Sequence, residues 1–316
     1  MRIPKYIHEN ATIGVLAPSL GIGSEKYLYE YLKSKEKLEE LGFKIIESKN
    51  LFVVEKAQSN TPKNRAKEFM KFYLDEKIDF VWSVSGGERE IEILPYLDFE
   101  KLRKANPKWF VGFSDNTNLV HTLTTKCDVA SIYAMNMLEC FTQQSEESSF
   151  DLLNLLLQEK TEFSQYGDEE VKTNRKNNMK FEGRLIGGNL DILMNLIGTE
   201  YEGVKYFIKK YPDFIWYFEP FDYNICGLKR CLWQMQQLGY FEKCKGILIG
   251  KMRYSEDIMG LTLDDVIRDL DVKVPVVYNV QVGHVGDTMP FMNGGYAKIE
   301  VRNKKFKITY DLTYKK

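Results

Sequence analysis

Histidine is scarce in this chain of 316 residues, which has only His8, His121 and His284. A general base built on imidazole therefore has three candidates. Cysteine is sparse and irregular: Cys127, Cys140, Cys226, Cys231 and Cys244 are odd in number and lack CxxC spacing. That pattern argues against a disulfide framework or a zinc site and predicts reduced, mostly buried thiols. No run approaches the roughly 18 apolar residues of a membrane span. The N-terminal stretch MRIPKYIHENATIGVLAPSL is interrupted by polar and charged residues where a signal peptide would be apolar. A cytoplasmic protein with no membrane partner is expected. An excess of one charge is missing too, with 44 Lys and Arg against 45 Asp and Glu and a formal charge of −1. No nucleic-acid polymer is expected as a partner held by bulk charge, and recognition of any charged group must be local.

What remains is a globular composition, 44% hydrophobic and 28% charged, over a length that suits two domains. Thr12–Ala17 (TIGVLA) reads as a buried strand. Leu28, Tyr31, Leu32, Lys35, Leu38 and Leu41 mark one face of a helix ended by Gly42, and a strand follows at Phe43–Glu47. A helix over Pro62–Asp75, a strand at Ile78–Val84, a helix near Arg89–Leu94, a strand at Trp109–Phe113 and a helix from Asn116 continue the alternation. Strands and helices at this spacing imply an α/β fold with a parallel sheet covered on both faces. Residues 159–180 lose periodicity and become charged and Asn-rich, so residues 161–180 are expected to link an N-terminal domain (1–160) to a C-terminal one (181–316). In the second part Phe181–Ile186, Phe214–Phe218, Gly246–Ile249, Val274–Val280 and Tyr296–Val301 read as strands. Leu190–Leu196, Leu228–Leu238 and Leu263–Leu270 read as helices, and Phe306–Leu312 as a final edge strand. There is no internal repeat.

Ligands of open parallel sheets bind beyond the carboxyl ends of the strands, and three post-strand loops stand out. In Val84-Ser85-Gly86-Gly87-Glu88, paired glycines allow close backbone approach and can aim N–H groups at an anion, although a turn serving geometry alone fits equally well. In Gly112-Phe113-Ser114-Asp115-Asn116-Thr117 a strand turns into a helix with Ser114 at the apex. This layout resembles a nucleophile elbow without its second glycine, but from this segment alone the favoured reading is a helix cap supplied by Ser114, Asp115 or Asn116. The third loop, Val280-Gln281-Val282-Gly283-His284-Val285-Gly286-Asp287, holds a Gly-flanked histidine, also readable as a capping or surface residue. His8 precedes the first strand, and His121 lies two turns into the helix after Ser114, facing away from its start. His284 is therefore the favoured base. An acid to orient it is found in Glu219, at the end of the apolar strand Phe214–Phe218, where a carboxylate must be paired. Asp222 is its rival.

Taken in order, IGVLAPS, SGGE, LPYLD, NPKWFVGFSDNTNLVH, GRLIGGNLDILMNLIGTEY, Glu219, QLGYFEKCKGILIG, PVVYNVQVGH and MPFMNGGYAKI resemble the serine peptidase family of L,D-carboxypeptidases and microcin C immunity proteins. The resemblance spans nearly the whole chain and lies nearer the immunity-protein branch. It implies an N-terminal domain like class I glutamine amidotransferases and a smaller, swivelling C-terminal β/α domain, with the active site between them and a homodimer as the assembly. It further implies Ser114 as nucleophile, Glu219 as orienting acid and His284 as base. Backbone N–H groups of Gly87 and Asp115 would hold the oxyanion, Ser85 and Gly86 would contact substrate, and neither metal nor cofactor would be needed. The sequence departs from the family in Glu219-Pro220, where many relatives have Glu-Asp, and in Ala130–Asn136, where many have a Gly-Pro segment.

The chemistry implied is cleavage of an amide beside a free carboxylate, with the terminal D-alanine of a murein tetrapeptide as the leading substrate. A peptidyl- or aminoacyl-nucleotide amide is the alternative. A binding protein that kept the cleft and lost the chemistry is the reading from another class. A glutaminase would need Cys at the elbow, and Cys127 lies too far along the helix to serve.

Overall fold

The computed structural model describes residues 1–175, 178–284 and 286–313. Positions 176 and 177 of the expected linker, and Val285 after His284, lie outside the described residues. The first half alternates as β1 (Thr12–Leu16), α1 (Glu25–Glu40), β2 (Lys44–Glu47), α2 (Pro62–Leu74), β3 (Phe80–Ser83), α3 (Phe99–Lys104), β4 (Trp109–Gly112), α4 (Thr117–Cys127), β5 (Ser131–Tyr133) and α5 (Glu146–Leu156). Local chemistry starts the helices: Ser24 Oγ accepts from Tyr27 N–H at α1, and Thr61 with Pro62 at the first helical position opens α2. The five strands are parallel in the order β2-β1-β3-β4-β5. Strand order reverses between β1 and β3, the kind of switch point beside which ligands of open parallel sheets bind.

The second half contains β6 (Glu162–Ser164), β7 (Lys172–Thr173), β8 (Met179–Asn189), α6 (Leu190–Leu196), α7 (Val204–Lys210), β9 (Phe214–Glu219), α8 (Ile225–Gln237), β10 (Gly246–Gly250), α9 (Leu263–Arg268), β11 (Val276–Val280), β12 (Phe291–Asn293), β13 (Tyr296–Arg302) and β14 (Lys305–Tyr310). Its sheet runs β6-β14-β13-β8-β9-β10-β11-β7, parallel from β8 to β11 and antiparallel outside. Period-two alternation divides it. Ile215, Tyr217 and Leu248 join the core shared with the first half, whereas Trp216, Phe218, Ile247 and Ile249 pack with α8 and α9. Beyond this sheet, β12 returns to the first and pairs antiparallel with β5. The two halves are thus laced by a strand as well as by packing.

Three expectations change. The segment 161–180 is not bare linker, since β6 and β7 form the two edges of the second sheet; both are short and polar, so hydrophobic periodicity could not reveal them. Consequently β14 is not an edge strand, because β6 covers it. The buried side of α1 consists of Glu30, Tyr31, Ser34 and Leu38, with Leu28 and Leu32 exposed. Polar partners draw that side inward: Tyr31 donates to Glu47 Oε1 at 2.7 Å and Ser34 to the Met137 carbonyl at 2.6 Å. All five cysteines are free thiols and four are buried. Among the described residues no helix is long and apolar enough to cross a membrane.

Candidate active site

The site forms where the carboxyl ends of β1, β3 and β4 meet those of β9 and β11. At the first switch point, Leu20 N–H donates to the Gly86 carbonyl at 3.2 Å and Ser85 Oγ donates to the Leu20 carbonyl at 2.6 Å. With no cis peptide in the described chain, the Gly87 N–H points opposite the Gly86 carbonyl and so away from Leu20. Gly87 has φ +148°, and a Cβ there would lie 2.3 Å from Ser19 Oγ, so only glycine fits. A Cβ on Gly86 would come within 3.1 Å of Ser114 Oγ, which places this loop directly against the serine.

Ser114 follows β4 with φ +63°, an uncommon left-handed conformation for a side chain other than glycine, at the turn into α4. The capping alternative does not hold. Neither the short 3-10 turn at Ser114–Asn116 nor α4 receives a side-chain cap from these residues. The Asp115 carboxylate instead accepts from Ser19 Oγ, from Glu90 N–H at 2.8 Å and from Asn118 Nδ2 at 3.0 Å. Asn116 donates to the carbonyls of Ser85 and Phe113 and to Asn136 Oδ1. Glu90 takes over at α4, accepting from Leu119 N–H at 3.2 Å. Among the described residues the Asp115 N–H and Gly87 N–H have no acceptor.

Glu219 is completely buried at the end of β9, and three donors meet its carboxylate. His284 gives both its backbone N–H, at 2.6 Å, and Nδ1, at 2.5 Å, to Oε1, while Tyr133 O–H donates to Oε2. These bonds offset the cost of burying the charge. The imidazole is sandwiched between Phe113, 4.4 Å away at 17°, and Phe221, 4.2 Å away at 23°. Burial pushes the His284 pKa down, but Glu219, with Glu139 and Asp222 beyond it, outweighs burial and holds it above the ordinary value. Asp222, the rival acid, bonds through its backbone N–H to Asp191 and not to the imidazole. Ser114 Oγ and His284 share no hydrogen bond among the described residues; Phe113, adjacent to Ser114 and stacked on His284, holds the two on neighbouring positions.

The other histidines are elsewhere. His8 is exposed, with Nδ1 against the Glu9 carbonyl. His121 is buried, and burial pushes its pKa down to about 4. Among the described residues no group of three or more His, Cys, Asp or Glu side chains could hold a metal ion.

Tyr133 escaped sequence reading. It sits on β5 in register with Gly112, so its ring reaches the elbow, where its oxygen accepts from Ser114 N–H at 3.3 Å as its proton goes to Glu219. One hydroxyl thus joins the serine backbone to the buried acid. The Tyr133→Phe protein is expected to lose about tenfold to a hundredfold in kcat. The acid limb of its pH–rate profile should move up by roughly one unit, because Glu219 then presents its full charge to His284. A pH–rate profile that keeps its limb would reduce Tyr133 to a packing residue.

Comparison with known proteins decides the family. Residues 13–134 match the LD-carboxypeptidase N-terminal domain and residues 182–299 the LD-carboxypeptidase C-terminal domain. The chain belongs to the LD-carboxypeptidase family. Within it, the chain is 24% identical to the microcin C7 self-immunity protein MccF of Escherichia coli, over 88% of both sequences. Solved structures of LD-carboxypeptidase-like fold superpose closely. That of MccF in complex with aspartyl sulfamoyl adenosine gives a TM-score of 0.80 at 21% identity, covering 98% of each chain. That of a muramoyltetrapeptide carboxypeptidase from Oxalobacter formigenes gives 0.79 at 21% identity, covering 95% of this chain and 98% of the other. The two-domain α/β architecture expected from sequence is therefore that of the family.

Proposed function

We propose that this LD-carboxypeptidase family member is a serine hydrolase that cleaves an amide beside a free carboxylate, with the L,D bond to the terminal D-alanine of a murein tetrapeptide as its substrate. Ser114 is the nucleophile, His284 the base and Glu219 the orienting acid. The observation that carries the reading is the buried Glu219 carboxylate on His284 Nδ1 at 2.5 Å, which leaves Nε2 to serve as base and stabilises the imidazolium once formed.

In the first step His284 takes the Ser114 proton as Oγ attacks the carbonyl carbon. The oxyanion is received by the N–H groups of Gly87 and Asp115. Two features support that pair. The nucleophile's own N–H is committed to Tyr133, and the Gly87 and Asp115 N–H groups have no acceptor among the described residues. The leaving amine departs with the proton from His284, and water, deprotonated in turn by His284, releases the acyl group. Ser85 and Gly86 line the approach to Ser114. Because the reaction needs neutral His284 and its pKa is raised, activity should be lost as pH falls from a point above the ordinary imidazole value.

A second reading has its own support. Tyr254 offers an exposed ring at the edge of the site with the Arg253 guanidinium against it, and a nucleobase would stack on such a surface. The relative MccF is a microcin C7 self-immunity protein whose structure holds aspartyl sulfamoyl adenosine. Assaying the L,D-tetrapeptide beside aminoacyl sulfamoyl adenosines separates the two. Release of D-alanine alone is the expected result; hydrolysis of the nucleoside amide alone would transfer the assignment.

A further inference from the structure

We propose that Arg253 recognises the terminal carboxylate of the substrate. This inference rests on reading the site as a carboxypeptidase and adds the residue that selects a free acid over a blocked one. The charges acting most strongly on His284 are all acids, namely Glu219, Glu139 and Asp222. A substrate carboxylate brought to this imidazole is repelled unless a cation compensates locally, and the net charge of −1 supplies no general attraction.

Arg253 meets that requirement. It lies three residues beyond β10, the strand that neighbours β9 and its terminal Glu219. Its guanidinium sits over the Phe221 ring, 5.4 Å from the centroid, and over Tyr254 at 5.3 Å. Phe221 in turn stacks on His284 at 4.2 Å. One aromatic ring thus separates the cation from the base. Stacking on two rings restrains the long side chain before substrate arrives, which lowers the entropic cost of binding. Yet none of its five N–H donors has an ion pair or hydrogen bond among the described residues. Lys251 in the same loop is committed, to Glu169 at 2.6 Å. A planar fork of open donors, held in place beside the reacting centre, suits bidentate capture of a carboxylate.

The test compares an L,D-tetrapeptide ending in a free carboxylate with the same peptide ending in a carboxamide. Turnover is measured with wild type and Arg253→Met, and calorimetric binding with Ser114→Ala and the Ser114→Ala/Arg253→Met double variant. The readout is the preference for acid over amide. A general loss caused by disturbing Phe221 affects both peptides and cancels in that ratio. The preference is expected to be about tenfold or more with Arg253 present, the scale of a charge-assisted hydrogen bond, and to fall to about one in Arg253→Met, with Arg253→Lys in between. A preference that survives in Arg253→Met, or none in wild type, overturns the assignment of Arg253 and leaves the hydrolase reading standing. Arg253-dependent preference in binding without turnover by wild type does the reverse.

Discussion

Replacing Ser114 by Ala is expected to lower kcat by about four orders of magnitude or more and to abolish labelling by a fluorophosphonate probe, while the melting temperature stays within a few degrees of wild type. The size of the first effect follows from removing the atom proposed to form the acyl-enzyme; variants lacking a nucleophile fall to the residual rate supplied by binding and the oxyanion donors. The smallness of the second follows from the structure. Ser114 Oγ makes no hydrogen bond among the described residues, so its loss leaves no buried partner unsatisfied. The backbone conformation at φ +63° costs Ala much what it costs Ser. Activity and stability are therefore expected to separate cleanly at this position. Retention of more than about a tenth of the wild-type rate would remove Ser114 from the mechanism. Failure of the probe to label wild type, alongside tight peptide binding, would instead favour a cleft that binds without reacting.

Much of this candidate site was legible because its parts obey local rules. Scarcity of histidine narrowed the base. A Gly-rich loop after a strand, and a serine between strand and helix, are punctuation that a single sequence displays. Glu219 stood out as a carboxylate closing an apolar strand. What stayed hidden depends on register and on contacts between distant segments. Tyr133 enters the site only because β5 pairs with β4 so that Tyr133 faces Gly112, and nothing in Ser131-Ile132-Tyr133 announces that pairing. The clamp on His284 joins Phe113 and Phe221, more than a hundred positions apart. The capping expectation failed for a related reason. Asp115 has the right side chain for a cap, but the fold offers it Ser19 and the Glu90 N–H, and Glu90 meets the helix in its place. In the second sheet, β6 and β7 are too short and polar to show a period, and they become strands because β14 and β11 leave edges to be covered.

Gly283→Ala is expected to cost about a hundredfold or more in kcat without touching any reacting group, because of where Glu219 lies. Gly283 has φ +90°, and a Cβ there would stand 1.8 Å from Glu219 Cδ and 2.0 Å from Oε1. The obstruction is the carboxylate itself, fixed by His284 and Tyr133 with no exposed surface into which to retreat. Either the carboxylate moves off Nδ1 or the loop carrying His284 moves off the carboxylate, and the imidazole loses its orientation in both cases. Gly286 supplies the control. It has a similar φ of +85°, yet among the described residues a Cβ there meets nothing within 4 Å. Gly286→Ala should show only backbone strain, on the order of 1 kcal/mol, and a small change in rate. The comparison isolates packing against Glu219 from the general cost of a side chain at positive φ. Equal losses in the two variants would mean that the loop's flexibility, and not the contact between Gly283 and the buried acid, sets the alignment of the imidazole.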